Sequence, residues 1–313
     1  SKTHLNHLVF LSYWCDRSPK VGWLMDDLDI KLLVDLLRDR INPDSSLGQH
    51  FLLDEDVIYR AIEIAGNDRP IDSSSHVLEI GPGPGSLTLH LIRKNTKLTA
   101  IEIDPEATSH LNRVFGTDND NICFINGDAL TTIWPSDITH IVSNLPYQIS
   151  SPILDKIQKH HHSNPLQGIT LLVQDEFAER MSMTSGFSSR GPLGHALWLD
   201  FEVELDLKVP PHSFSPSPRV NSRLVNLKPV IRDEKNNFDD RLFRMVITHC
   251  FSNRRRKLRT LLSNPPRRLS RIPGWHRDRW NIAIKSISPE VLELRPENLS
   301  SLQWCDLISD ISA

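Results

Sequence analysis

The chain is poor in cysteine, tyrosine and methionine: its 313 residues include four, three and four of them. Cys15, Cys123, Cys250 and Cys305 lie far apart, with no paired ligand spacing. That argues against a disulfide scaffold and a cysteine-built zinc site, and suits a reduced, cytoplasmic protein. No apolar run approaches the roughly 20 residues a membrane helix needs. Leu8–Trp14 is apolar but short, is followed by Asp16 and Arg17, and has no small-residue cleavage site. It predicts neither a span nor a secretory leader. The histidine cluster His160-His161-His162 lacks acidic or cysteine partners, so no metal site is expected. Its place at the end of a predicted helix suits the helix dipole.

Charge is unevenly spread. The net charge is −3, yet residues 231–313 hold 16 Lys+Arg against 10 Asp+Glu, and residues 1–230 hold 20 against 29. Within 244–285 there are twelve basic residues and one acid, Asp278. An acidic body with a basic end suggests a polyanionic partner for that end.

Three segments are expected: an extension over 1–43, an α/β domain over 44–229 and a basic helical domain over 230–313. Met25-Asp26-Asp27 reads as a natural start with a helix cap. Residues 1–24 are then either upstream read-through or a genuine extension packed on the domain. Leu28, Leu32, Leu33, Leu36 and Leu37 repeat at helical spacing, and Asn42-Pro43-Asp44 ends that helix. Asp54 is placed to cap a helix with the apolar face Val57, Ile58, Ala61, Ile62 and Ala65.

Strands and helices then alternate. Strands are expected at 76–80, 98–103, 121–125, 140–144 and 169–174, with helices at 86–94, 105–115, 152–160 and 176–183. Asp104 and Ser151 stand at N-cap positions before Pro105 and Pro152. The pattern predicts a parallel sheet covered on both faces. Strands at 201–209 and 220–227, joined by a proline-rich stretch, predict an antiparallel pair at the sheet edge. Beyond 230, Phe243, Val246, Ile247, Cys250 and Phe251 form a helical stripe, and Trp275 and Trp280 read as core of the small domain.

The densest motif is Glu79-Ile80-Gly81-Pro82-Gly83-Pro84-Gly85-Ser86-Leu87-Thr88. A strand runs into a glycine turn and a helix follows, the context of a phosphate- or nucleoside-binding loop, or of a plain tight turn. Three more candidates fall at strand ends, where doubly wound folds bind ligands. Glu102 ends the second strand, 21 residues after Gly81, the spacing of an acid that holds ribose hydroxyls. Asp128 follows the third strand, and Asn144-Leu145-Pro146-Tyr147 follows the fourth. Asn144 offers a side-chain oxygen, Leu145 a backbone carbonyl and Tyr147 an aromatic face, a set suited to a flat base with an exocyclic amine. Such a base must leave its stack to enter the pocket.

With these motifs the sequence resembles the small-subunit rRNA adenine dimethyltransferases of the KsgA type and, more distantly, the Erm methylases. The likeness runs from about residue 46 to 305. Leu47–Leu52 looks like the Gly-Gln-Asn-Phe-Leu entry motif with His50 in the Asn position, and Glu79–Thr88 like the cofactor motif. Val209–Ser222, with Pro210, Pro211, Phe214, Pro216, Pro218 and Val220, is the most specific match. The resemblance implies a Rossmann-like class I methyltransferase with a small C-terminal all-helical domain, and S-adenosyl-L-methionine as cofactor. His50, Leu52, Gly81, Gly83, Glu102, Asp128 and Asn144 would line the cofactor site. Asn144, Leu145, Pro146 and Tyr147 would hold the target adenine, with Phe214 as a second aromatic wall. The implied reaction is dimethylation of two adjacent adenosines in the 3′-terminal hairpin of small-subunit rRNA, in ribosome biogenesis. The implied partner is a pre-30S-type subunit and the enzyme a cytoplasmic monomer. Arg254, Arg255, Arg256, Lys257 and Arg259, expected on one helix, would hold RNA phosphates. A non-catalytic assembly factor and an Erm-like large-subunit methylase are the rival readings.

Overall fold

A computed structural model describes residues 28–39, 49–116 and 120–313. Residues 1–27, including Cys15 and the Met25 start, lie outside the described residues, as do Asn42–Asp44, Leu47 and Gly48.

The core is a seven-stranded sheet in the order β4-β3-β2-β5-β6-β9-β7. Its strands are β2 (His76–Ile80), β3 (Lys97–Glu102), β4 (Ile122–Asn126), β5 (His140–Asn144), β6 (Gly168–Gln174), β7 (Phe201–Val209) and β9 (Ser222–Pro229). The first five run parallel, and β9 pairs antiparallel with both β6 and β7. Every residue of β2 is buried, as expected for a parallel strand covered on both faces. Successive residues serve opposite layers. Val77, Val142, Leu172 and Leu224 join one core cluster, and Leu78, Ile141, Leu171 and Val225 the other.

Helices α1 (Ile30–Arg38), α2 (Glu55–Ala65) and α3 (Ser86–Arg93) cover the first face, and α4 (Pro105–Val114) packs at its side. Helices α5 (Ser150–Ser163), α6 (Asp175–Ser182) and α7 (Pro192–Trp198) cover the other. Asp54 and Asp104 cap α2 and α4 as expected. Ser151 does not cap α5: the 3₁₀ turn Tyr147–Ile149 runs straight into a helix that starts at Ser150. Of the stretch expected as an extension over 1–43, residues 28–39 are described. Its helix α1 buries Ile30, Leu33, Val34 and Leu37 against the domain and is part of that packing unit.

A second, two-stranded sheet was not foreseen. Strand β1 (Phe51–Leu52) pairs antiparallel with β8 (Phe214–Ser215), Phe51 opposite Ser215 and Leu52 opposite Phe214. It ties the entry segment to the proline-rich stretch.

After Pro229 there are only helices and 3₁₀ turns. Helices α8 (Asp240–Phe251), α9 (Leu258–Leu262), α10 (Arg277–Ala283), α11 (Pro289–Leu292) and α12 (Ser301–Ser312) enclose their own core, which includes Trp275, Trp280 and Trp304. That core reaches the sheet domain through Leu199, and polar ties reinforce the join. Lys235 pairs with Asp200, Arg244 with Asp155, and the His195 ring with the Ser301 hydroxyl.

Candidate active site

The strand order reverses between β2 and β5, because the chain steps outward through β3 and β4 before returning beside β2. The loops leaving those two strands therefore diverge, and a crevice opens at their carboxyl ends. A cleft of about 670 Å³ lies there. It is lined by the entry segment Gln49–Leu52, by Glu79 and the glycine turn, by Glu102, and by Asn144–Tyr147. A second lobe of about 510 Å³ shares Gly81, Ile103 and Pro146 with it and adds Asp128 and Gln148. Pro146 thus stands between the two lobes.

The glycine turn has a backbone that only glycine adopts readily. Gly81 and Gly83 have φ of +69° and +56°. A Cβ on Gly81 would lie 3.2 Å from the Pro146 ring, and one on Gly83 would lie 3.2 Å from the Phe51 ring. The turn is a cradle whose walls are already at contact distance.

Two carboxylates stand at the cleft. Glu102 is buried at the end of β3 and accepts the Gly83 N–H at 2.9 Å and the Asp104 N–H at 3.0 Å, one on each oxygen. Burial pushes its pKa up, and these donors hold it back. Each oxygen keeps a lone pair for a further donor. Glu79 accepts the Thr88 hydroxyl at 2.7 Å, and burial raises its pKa to about 8. Glu79 was not among the expected site residues. The available signal was an acid inside the otherwise apolar run Val77–Ile80.

The Asn144–Tyr147 turn is pinned from several sides. The Asn144 Nδ2 donates to the His50 carbonyl at 3.0 Å, which turns its Oδ1 the other way. The Leu145 N–H donates to the Leu172 carbonyl at 3.1 Å. The Tyr147 hydroxyl bonds the buried Ser222 hydroxyl at 2.8 Å, and partial burial raises the phenol pKa. The His50 ring lies 5.6 Å from the Tyr147 ring, tilted by 31°.

His50, Leu52, Gly81, Gly83, Glu102, Asn144, Leu145, Pro146 and Tyr147 all line the first lobe, and Asp128 lines the second. Asp128 accepts the Leu130 N–H at 2.8 Å. Lys156 Nζ holds the following loop by bonds to the Ala129, Leu130 and Thr132 carbonyls, a tie that sequence spacing did not suggest. Phe214 is corrected. It is 3 % exposed, belongs to the core with its pairing partner Leu52, and lines neither lobe. Its apolar ring is worth more in the core than at the cleft wall.

The basic stretch is corrected too. Residues 252–257 form the turn between α8 and α9, not a helix. Arg254 is half-buried and points inward. It pairs with Glu297 at 2.7 Å and donates to the Phe187 and Ser188 carbonyls at 2.8 and 3.2 Å. Lys257 and Arg259 both pair with Glu293, at 2.5 and 3.0 Å. Arg255 and Arg256 remain exposed. The three histidines of 160–162 go to separate neighbours: His160 meets the Trp134 ring, His161 accepts the Leu166 N–H, and His162 pairs with Asp200.

The chain matches the family described as "Ribosomal RNA adenine dimethylase" over residues 40–271. It is 38 % identical over 223 residues to a "Probable ribosomal RNA small subunit methyltransferase A" of Haloarcula marismortui, covering 71 % of this chain and 75 % of that one. A "Ribosomal RNA small subunit methyltransferase A" of Gloeobacter violaceus is 36 % identical, covering 69 % and 77 %. Among solved structures, a dimethyladenosine transferase from Plasmodium falciparum superposes with a TM-score of 0.68 at 26 % identity, covering 82 % of this chain and 95 % of that one. The 23S rRNA methyltransferase ErmE gives 0.57, also at 26 % identity, covering 82 % and 98 %. The fold is that of the class I methyltransferases, and the chain belongs to the ribosomal RNA adenine dimethylase family.

Proposed function

We propose that this protein uses S-adenosyl-L-methionine to dimethylate N6 of two adjacent adenosines in the 3′-terminal hairpin of small-subunit rRNA. The observation that carries this reading is the convergence of Asn144, Leu145 and Tyr147 with the glycine turn and Glu102 on one cleft at the switch point.

The residues present suit that cofactor. Gly81 and Gly83 line the first lobe with backbone alone, and Glu102 keeps acceptor capacity for ribose hydroxyls. Asp128 in the second lobe is placed to accept from a base edge. When bound, S-adenosylmethionine supplies an electrophilic methyl group.

The rest of the chemistry is positioning by this chain. The lone pair of an adenine amine is delocalised into its ring, so the nitrogen is a poor nucleophile. Asn144, with its nitrogen committed to the His50 carbonyl, presents its oxygen to the amine hydrogens. The Leu145 carbonyl is the second acceptor. Together they favour a tetrahedral, nucleophilic nitrogen. The Tyr147 ring, held by Ser222, gives the base a face to stack on. No side-chain nucleophile is required.

The partner is small-subunit rRNA within a pre-30S-type particle, the enzyme acting as a cytoplasmic monomer. Among the described residues no helix is long and apolar enough to cross a membrane. Incubation with labelled methyl donor and, in parallel reactions, immature small subunits and large-subunit rRNA, followed by mass-spectrometric mapping of the modified nucleotide, tests the reading. Label in two adjacent small-subunit adenosines supports it. Label in large-subunit rRNA favours the Erm-like alternative, and no label favours an assembly factor.

A further inference from the structure

The entry segment, whose residues Gln49–Leu52 line the cleft, is tied from behind by the proline-rich stretch some 160 residues later, and the two form one strap. On one side are His50, Phe51, Leu52 and Leu53, and on the other Ser213 to Pro216. Phe51 and Leu52 pair with Ser215 and Phe214. The Leu53 N–H donates to the Ser213 carbonyl at 2.8 Å, and the Ser213 hydroxyl donates to Asp54 at 2.9 Å. Arg38 donates to the Ser215 hydroxyl. The end of the strap nearest the reacting centre is held by a side chain: His50 Nδ1 lies 2.8 Å from the Pro216 carbonyl. A carbonyl can only accept, so Nδ1 carries the proton.

His50 makes three contacts at once. Its Nδ1–H fixes the strap to Pro216. Its backbone carbonyl accepts Asn144 Nδ2 and so sets which way Asn144 Oδ1 points. Its ring lies against Tyr147. The neighbouring Phe51 ring forms the wall against Gly83. A shift of residue 50 therefore moves the roof of the cofactor cradle, the Asn144 acceptor and the Tyr147 ring together.

We propose that His50 is a positioning residue whose δ-nitrogen donor, anchored on the Pro216 carbonyl, aligns the cofactor cradle with the Asn144–Tyr147 base site. The donor is the essential feature, and the ring is an addition. Asparagine carries a nitrogen at the same bond distance from its Cα as histidine Nδ1, so it can give the same hydrogen bond. The inference rests on the reading of the cleft as an S-adenosylmethionine and adenine site.

Four variants separate donor, shape and ring. His50→Asn keeps the donor and loses the ring. His50→Asp keeps the shape but puts an acceptor against a carbonyl. His50→Leu keeps bulk without a donor, and His50→Ala removes all. Each full-length protein is measured for S-adenosylmethionine affinity by calorimetry, for kcat and for the KM of the rRNA substrate, with thermal unfolding as a folding control. One hydrogen bond is worth about 3- to 10-fold in an equilibrium. His50→Leu and His50→Ala should weaken cofactor binding by about that factor and lower kcat by at least as much, with RNA KM unchanged. His50→Asp should lose more. His50→Asn should restore cofactor affinity to within about threefold of wild type, the remaining deficit falling on kcat through the lost Tyr147 contact. Wild-type behaviour of His50→Asp or His50→Leu overturns the proposal, as does a His50→Asn protein no better than His50→Asp. A wild-type protein that binds S-adenosylmethionine but labels no adenosine refutes the proposed function, while the calorimetric ranking still decides the strap. A wild type that does not bind the cofactor refutes both.

Discussion

The glycine turn after β2 and the arginine run after α8 are the two densest motifs of the chain, and the structure treats them in opposite ways. The turn does what its composition suggested. Its glycines sit at positive φ, and their missing side chains leave the cradle between Pro146 and Phe51. The arginine run looked like one surface for phosphates, but Arg254, Lys257 and Arg259 are occupied with Glu297 and Glu293. The difference is physical. A backbone conformation is set by the residues that adopt it, so local sequence reports it. What a charge does depends on which opposite charge the fold brings near, and that partner lies some 40 residues away in sequence.

The sharpest way to break this contrast is at the base site. Asn144→Ala should lower methyl transfer by about 10²- to 10³-fold, the loss typical of a missing preorganised polar group. Single-turnover kinetics at saturating cofactor would show it. Next comes the turn itself. Gly83→Val combines an unfavourable left-handed backbone with a clash at Phe51, and should weaken S-adenosylmethionine binding by about 100-fold or more. RNA binding by the exposed Arg255 and Arg256 should persist. Normal cofactor affinity in that variant would refute the assignment of the loop.

A third test uses Glu79. Its folded pKa is raised to about 8 from an ordinary 4.5. The native state therefore binds the proton more tightly than the unfolded chain does. The stability this contributes is fully present below about pH 4.5 and is lost as pH rises through about 8. Glu79→Gln, which keeps an acceptor for Thr88, should remove this slope. The stability difference between variant and wild type should change by on the order of 3 kcal/mol between pH 5 and 8, read from denaturant unfolding across that range. Parallel curves would show that Glu79 titrates normally.

The arginine run gives the smaller effects. Arg254→Ala breaks an ion pair and two carbonyl bonds at the join between the domains, and should cost about 2 kcal/mol of stability. Arg255→Ala with Arg256→Ala should change stability by less than about 0.5 kcal/mol. That double variant should instead reduce the magnitude of the slope of log affinity for rRNA against log salt by about one to two. If Arg254→Ala also reduces the salt slope without destabilising the protein, Arg254 serves the RNA rather than the join between the domains.

Much of the site is legible in the sequence, because strand ends and turns are local. Glu102, Asp128 and Asn144 could be placed at carboxyl ends of parallel strands from alternation alone, and the resemblance gave them roles. The 3₁₀ turn at Tyr147 and the start of α5 were misjudged, since Pro152 fits inside a first helical turn as well as at its first position. Phe214 was misplaced because an aromatic residue in a motif carries no sign of whether it faces a ligand or the core.

The sequence by itself determined the parallel sheet, its edge pair, the glycine cradle and the helical character of the basic end. Each of these follows from periodicity or from a residue's own backbone preferences. Only the tertiary structure decided that residues 50 and 216 meet, that Glu79 is a buried acid beside the cradle, and that Arg254 faces inward. Those outcomes depend on contacts between segments far apart in the chain, where burial and the available partner, rather than residue type, set what a side chain does.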